Sequence, residues 1–413
     1  MVPVAMHIFR SLRYRNFKLF FYGQSISLIG TWMQKTAVSW LVYRLTGSAV
    51  LLGVVGFASL IPSLVLSPLA GSYIERRNRY RVLVTTQVAS MLQAGALALL
   101  IYFRIYNIPI IVLLSLIQGI INAFDVTCRQ SLLMEMVEDK DDLPNAIALN
   151  SSMANFARIA GPAGAGIILS TLGEDFCFFS NFLSYVPVLL CLFMMRLQLP
   201  PVSSKDTSIW NELQEGFKYV SGDRQLSSMI AMIGISSLFV IPFNTLIPIF
   251  AKDLFNGTAK TFSWFESMAG VGSIASAIYL ANLKHGKSMI SVMTVATVIF
   301  GSSLLLLACS SSLPMALLFM GLSGVGMMAQ TSAINTYIQT HAAPAMRSRA
   351  ISYYVMAYQG IIPVGSLLAG YMAQIWGARA TVFVEGTIGL TAIAAFVWFK
   401  NRANNRNTLL AQP

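Results

Sequence analysis

Apolar runs of twenty residues or more recur along this chain, at about 17–43, 48–74, 81–103, 109–134, 144–171, 176–197, 226–251, 260–283, 288–309, 313–339, 347–374 and 378–399. Each is long enough to cross ~30 Å of hydrocarbon as a helix rising ~1.5 Å per residue. Lipid offers no hydrogen bonds to the backbone, so a helix that satisfies its own N–H and C=O groups is the natural reading of such runs. The expected fold is an all-α polytopic membrane protein with twelve transmembrane helices. Composition agrees, with 56% hydrophobic and only 11% charged residues among 413.

The basic residues orient these helices. Arg10, Arg13 and Arg15 precede the first run, Arg76, Arg77, Arg79 and Arg81 follow the second, and Arg347 and Arg349 precede the eleventh. The alternate turns hold few, among them Arg44, Arg104 and Arg379. This bias puts both termini in the cytoplasm and implies an even number of spans. Residues 17–43 are too long for a signal-peptide core and carry no small-residue cleavage site.

The net charge of +12 lies in short clusters between apolar runs, so no nucleic-acid partner is expected. Four cysteines without CxxC spacing and three scattered histidines indicate neither a disulfide framework nor a metal site.

Residues 198–225 form the longest segment outside the runs. They divide the chain into a first bundle (1–197), a linker (198–225), a second bundle (226–400) and a cytoplasmic tail (401–413). Within the linker Ile209, Trp210, Leu213, Phe217 and Val220 lie opposite Glu212, Glu215 and Lys218. That pattern reads either as a short helix on the membrane face or as a solvated linker helix. A shift of 201 residues aligns Ser151 with Ser352 and Pro162-Ala163-Gly164 with Pro363-Val364-Gly365. Two pseudo-symmetric six-helix bundles with a substrate path between them follow from such a repeat.

Polar residues interrupt the apolar runs at helical spacing. Gln118, Asn122, Asp125 and Arg129 share one face, as do Ser151, Asn155 and Arg158, and the latter stripe continues into Gly161, Pro162, Gly164 and Gly166. Gln24, Thr31 and Lys35 line the first run. Ionisable groups at membrane depth are costly unless they face protein or water, so a polar cavity is expected.

The turn Gly71-Ser-Tyr-Ile-Glu75-Arg76-Arg77-Asn78-Arg79-Tyr80-Arg81 resembles the loop signature of the major facilitator superfamily. It departs from that signature at Glu75, where Asp is usual, and at Asn78, where Gly is usual. Asn78 is expected to accept the positive φ of the turn. Gly161–Gly166 resembles the fifth-helix motif of antiporters in that superfamily, where small residues bring the two bundles together. Arg15-Asn16-Phe17, Gly30-Thr31-Trp32-Met33-Gln34, Trp40–Ser48 and Ala123-Phe124-Asp125…Arg129-Gln130 are similar to the exporter branch containing the enterobactin exporter and macrolide-efflux drug:proton antiporters. The resemblance implies a small-molecule substrate, protons as coupling ion, no cofactor, and a monomer in the bilayer.

Candidate roles follow for individual residues. Gln24, Thr31, Lys35, Gln118, Asn122, Asn155, Arg158, Gln330, Tyr354 and Tyr358 are candidates for the substrate cavity. Glu75, Arg76, Arg79, Asp125, Arg129 and Glu266 are candidates for gating or proton coupling. Two readings stand for Asp125 and Arg129, a gate-closing network or an intrahelical pair that neutralises both. Arg158 reads as cavity-facing or as the partner of Asp125 or another acid. Lys35 reads as a substrate contact or as a snorkelling side chain, and Glu266 as the proton carrier or as a span-end acid in external water.

The functional expectation is a proton-coupled exporter working by alternating access. Lys35 and Arg158 favour an anionic, siderophore-like amphiphile. Efflux of neutral or cationic drugs and lysophospholipid flipping are the alternatives. No P-loop is present to couple ATP, and no HExxH or GxSxG motif marks an intramembrane enzyme. A non-transporting receptor is the remaining alternative.

Overall fold

In this computed structural model the described residues are 9–75, 77–197, 209–283, 288–343 and 346–410. Every element among them is helical. The first six long helices are α1 (Arg15–Thr46), α2 (Ala49–Glu75), α3 (Arg79–Tyr102), α4 (Ile108–Leu133), α5 (Leu143–Thr171) and α6 (Glu174–Met194). A shorter α7 (Ile209–Gly222) follows, then α8 (Arg224–Phe239), α9 (Ala259–Ala281), α10 (Met289–Cys309), α11 (Leu313–His341), α12 (Arg347–Val355), α13 (Ile362–Trp376) and α14 (Ala378–Leu410).

Local chemistry explains where these helices start and break. Asn78, Asn107 and Asp223 each accept a backbone N–H from the first turn of α3, α4 and α8, the side-chain capping that satisfies otherwise orphaned donors. Asn78 sits at φ −69°, so it serves as a helix cap and not as a positive-φ turn residue, contrary to expectation. Gly47, at φ 61°, closes α1 with its N–H on the carbonyl of Tyr43. After α8 the chain runs through a 3₁₀ turn (Ile241–Leu246) and a π turn (Phe250–Leu254), with Pro242 and Pro248 removing two ladder donors. A second π turn, Met356–Gly360, separates α12 from α13.

Nine of the helical stretches among the described residues are long and apolar enough to cross a membrane. They match nine of the expected spans. The three expected spans that fall short of that hydropathy are α1, α5 and α9, the helices that carry Lys35, Arg158 and Glu266. Large apolar side chains such as Leu92, Leu99, Ile167 and Leu190 face outward, as a lipid-facing surface requires.

The chain forms two compact units, Met1–Lys205 with Asn256–Ser267, and Asp206–Phe255 with Met268–Pro413. The first turns of α9 therefore belong with α1–α6. In the first unit α1 lies along α5 and α6, α2 along α4, and α3 along α4 and α6. Two apolar clusters fill it, one around Phe17, Leu83, Leu132 and Val188 and one around Leu41, Leu97, Ile111 and Phe178. A buried amide layer joins four helices. Asn181 donates to Gln34 at 2.7 Å, Gln34 to Gln93 at 3.0 Å, and Gln93 to the Leu114 carbonyl at 3.1 Å.

The second unit repeats several of these seams. α10 packs on α11 and α14, and α8 on α13 and α14. A Cβ on Gly161 would meet Trp32 Cβ at 2.4 Å, and one on Gly365 would meet the Leu238 carbonyl oxygen at 2.5 Å, so the α1–α5 seam recurs as α8–α13.

Each unit also clamps the segment ahead of its first helix onto its own fourth-to-fifth loop. In the first, Arg10 and Arg13 pair with Asp142 at 2.8 and 2.9 Å, and Tyr14 donates to it at 3.0 Å. In the second, Glu215 of α7 pairs with Arg349, Gly216 lies against Tyr353, and Tyr219 Oη accepts the Ala343 N–H at 2.9 Å. The expected linker helix is thus present and docked on α12. Phe217 is exposed while Val220 is buried, and the side chains of Ile209, Trp210, Glu212 and Leu213 lie outside the described residues.

Candidate substrate and proton site

Two groups of charged residues occupy the body of the first unit, and they differ in how their charges are met. The first is built on α4. Asp125 is buried, pairs with Arg129 Nε at 2.7 Å, and accepts hydrogen bonds from Gln87 at 2.6 Å and Thr86 at 3.1 Å. The i,i+4 spacing makes the ion pair intrahelical, and α3 supplies the two neutral donors. Both oxygens of the carboxylate are occupied. Toward the end of α4, Arg79 pairs with Glu135 at 3.4 Å, and its carbonyl accepts Cys128 Sγ at 2.8 Å. Arg79 thereby ties the start of α3 to the exit of α4. Arg76 and the side chain of Glu75 lie outside the described residues.

The second group draws on three helices. Lys35 on α1 is solvent-accessible, and its Nζ lies 4.8 Å from the centre of the Trp32 ring. Its charge is felt by Glu266 on α9, and that of Arg158 on α5 is felt by Lys35. Thr36, the neighbour of Lys35, donates to Glu266 Oε2 at 2.5 Å. No direct ion pair joins Lys35 to Glu266 among the described residues, so the two charges are held near each other without closing. An accessible ammonium in the body of a spanning helix must face water or polar protein, because facing lipid would cost at least ~2.5–3.5 kcal/mol.

Small residues bring these helices together. A Cβ on Gly161 would collide with Trp32 and with the Ile29 carbonyl, so glycine sets the α1–α5 separation. Gly166 does the same for α5 and α9, since its Cβ would lie 2.5 Å from Ser263 Cβ. Gly164 makes only an ordinary contact with Met33, and Pro162 is buried within α5. Trp40 stacks on Phe262 at 6.2 Å between centroids, which packs α1 against the start of α9.

The remaining candidates sit in different settings. Gln24 is buried with its carbonyl oxygen unsatisfied, and Thr31 bonds to the Ser27 carbonyl and to Tyr185 Oη at 3.1 Å. Gln118 reaches Ser90 at 3.4 Å, Asn122 is half-buried, and Asn155 bonds to the carbonyl one turn earlier, at Ser151. Gln330 is fully buried and donates to Ser236 and Thr297, both at 2.9 Å, so its amide joins α8, α10 and α11 inside the second unit. Tyr354 donates to the Thr331 carbonyl and stacks on Tyr358, which lies in the π turn. The amide layer of Gln34, Gln93 and Asn181 and the Asp142 clamp were not singled out by spacing, because their members come from helices far apart in sequence.

The family model described as "Transmembrane secretion effector" matches residues 7–412. The chain belongs to that family of major facilitator transporters. It is 27% identical to a Staphyloferrin A transporter of Staphylococcus aureus over 392 residues, 92% of this chain and 96% of that protein. It is 22% identical to macrolide efflux protein A of Streptococcus pyogenes over 388 residues, 91% and 95% of the two chains. Among solved structures, a POT family transporter in complex with a thioalcohol-conjugated peptide shares the fold. Its TM-score is 0.73 at 11% identity, over 94% of this chain and 96% of that one. The chain is a multi-pass membrane protein of an efflux transporter family, and its relatives and fold neighbours are transporters.

Proposed function

We propose that this protein is a secondary active exporter of the bacterial inner membrane. It works by alternating access, with twelve spans, two six-helix bundles and cytoplasmic termini. The substrate is a small amphipathic molecule whose anionic group is held by Lys35 and Arg158, and the coupling proton binds at Glu266. The observation that carries this reading is the second charged group. Lys35, Arg158 and Glu266 come from the three helices too polar for the hydropathy criterion, and small residues draw those helices together. A charge kept accessible at membrane depth and left without a closed ion pair is the arrangement a ligand can complete. The S. aureus relative, a siderophore transporter, is consistent with an anionic amphiphile.

A second reading is efflux of macrolides or other drugs. It is favoured by the likeness to macrolide efflux protein A and by the Trp32 ring beside Lys35. Metabolite profiling of a deletion strain separates the two. The first reading expects an anionic amphiphile to accumulate in the cytoplasm of the deletion strain and of one carrying Lys35→Gln. Normal metabolites with increased macrolide sensitivity would favour the second.

A further inference from the structure

The start of α1 and the exit of α6 carry charges that the transport reading does not use. We propose that Arg15, Lys18 and Arg196 form a binding site for one anionic phospholipid. Its phosphodiester headgroup lies on the three cations and its acyl chains run along the exposed face of α1 beside α6. The leaflet follows from the proposed cytoplasmic placing of the termini, and the site does not depend on which substrate is transported.

Hydrogen bonds to the backbone build this site. Asn16 donates to the Arg196 carbonyl at 2.9 Å and accepts the Arg196 N–H at 3.0 Å, a reciprocal staple across 180 residues of sequence. Arg15 donates to the Met194 carbonyl at 3.4 Å, which lays its guanidinium over the exit of α6. Lys18 follows Arg15 by three residues and shares its face of α1. All three side chains are exposed, and among the described residues none of them is paired with a carboxylate. The arginines just ahead of them differ. Arg10 and Arg13 are held by Asp142, and Arg13 also lies 3.6 Å from Asp139. These two acids meet the segment before α1, and the first turn of α1 keeps its positive charge.

The face that begins with these cations continues into an apolar one. On α1, Arg15 and Lys18 are followed at helical spacing by Tyr22 and Ile26, both exposed. On α6, Leu190 and Met194 are exposed one turn apart, ahead of Arg196. The two helices touch, since a Cβ on Gly23 would come within 2.9 Å of Val188 Cα. Charge, then an aromatic ring, then an aliphatic side chain is the order that fits headgroup, interface and hydrocarbon. Clusters of basic residues at the cytoplasmic end of a spanning helix attract anionic lipids. Topology alone asks only for positive charge near this end of the helices. It does not ask that Asn16 staple Arg196 to the start of α1, or that an exposed apolar face begin at the same turn.

Native mass spectrometry of the full-length protein in detergent tests the site, with dioleoylphosphatidylglycerol and dioleoylphosphatidylcholine titrated separately. Wild type is expected to bind one phosphatidylglycerol in preference to phosphatidylcholine. A basic residue near an anionic lipid surface contributes about five-fold in affinity. Arg15→Gln, Lys18→Gln and Arg196→Gln together should therefore weaken phosphatidylglycerol binding by up to about 100-fold and leave phosphatidylcholine binding unchanged. Arg15→Lys with Arg196→Lys keeps the charge and should keep the preference; its loss there would overturn recognition by charge. A control set, Lys218→Gln, Arg224→Gln and Arg347→Gln, removes three exposed cations from the second unit and should bind phosphatidylglycerol as wild type does. Equal loss in the two sets would make the preference a matter of net charge, and no loss in the first would place the lipid elsewhere. Either result overturns the site. Free glycerol phosphate that displaces the lipid at equal concentration would make this a site for a soluble phosphate and overturn the lipid assignment. The exporter reading is decided separately, by efflux, and stands or falls without these titrations.

Discussion

Asp125 with Arg129 and Lys35 with Glu266 are both pairs of opposite charges in the body of one helical unit, yet they are built on opposite plans. The first pair closes within a single helix at 2.7 Å and takes two further donors from α3, leaving the carboxylate with no free oxygen. The second is spread over α1 and α9, has Arg158 of α5 nearby, and stays open, with the lysine accessible. A buried carboxylate must be met by charge and hydrogen bonds to offset the cost of leaving water, and that of Asp125 is. Charges that hold one another permanently are unavailable to anything else. Under the proposed function, the α4 pair serves structure and the α1–α5–α9 group meets ligand and proton.

The largest effect is expected where the closed pair is opened. Asp125→Ala leaves the half-buried Arg129 without its carboxylate, and breaking a buried pair costs up to about 3–5 kcal/mol. Thermal unfolding in detergent should show a loss of that order, partly restored when Arg129→Gln is added; an unchanged melting temperature would remove the contrast. Next comes the seam that carries the open group. Gly161→Leu forces a side chain into the Trp32 contact, and overpacking of this kind costs typically about 1–3 kcal/mol. Its melting temperature should fall together with substrate efflux. Gly164→Ala, facing only Met33 at 3.8 Å, should be neutral in both assays.

Smaller stability effects are expected in the open group itself. Lys35→Gln should change stability by less than about 1 kcal/mol, the range of ion pairs that are not closed, while efflux is lost. A Lys35→Gln protein that unfolds earlier yet transports normally would make Lys35 a structural residue like Asp125. The smallest effect on stability should come from cysteines introduced as topology probes. Asn107→Cys and Glu174→Cys should react with an impermeant thiol reagent added outside cells, and Lys140→Cys should not. Reaction of Lys140→Cys from outside would contradict the twelve-span reading.

Much of this was legible in the chain. Apolar run length located the long helices, and i,i+4 spacing put Asp125 and Arg129 within reach of each other. Spacing along one helix could not say whether that pair stays closed, and the two donors that close it come from α3. It was equally silent on the open group, since Thr36 and Glu266 meet across 230 residues of sequence. The same holds for the Gln34–Gln93–Asn181 layer, where each amide alone looks like an isolated polar residue in an apolar run. Hydropathy misleads at the most informative place, because the three helices that carry Lys35, Arg158 and Glu266 are the ones it ranks lowest. Asn78 shows a different limit. Asparagine suits both positive φ and a helix N-cap, and only the observed φ of −69° decides for the cap.

The central claim is that the open group handles ligand and proton while the closed pair only holds the fold. It is tested most directly in proteoliposomes enclosing a pH-sensitive dye, by following proton movement upon addition of tetraphenylborate, an anionic amphiphile, above that of protein-free liposomes. Wild type, Glu266→Gln and Asp125→Asn are compared at equal amounts of folded protein. The account predicts borate-dependent proton flux in wild type, none in Glu266→Gln despite an unchanged melting temperature, and retained flux in Asp125→Asn despite a lowered one. Flux that survives in Glu266→Gln and disappears in Asp125→Asn would contradict it.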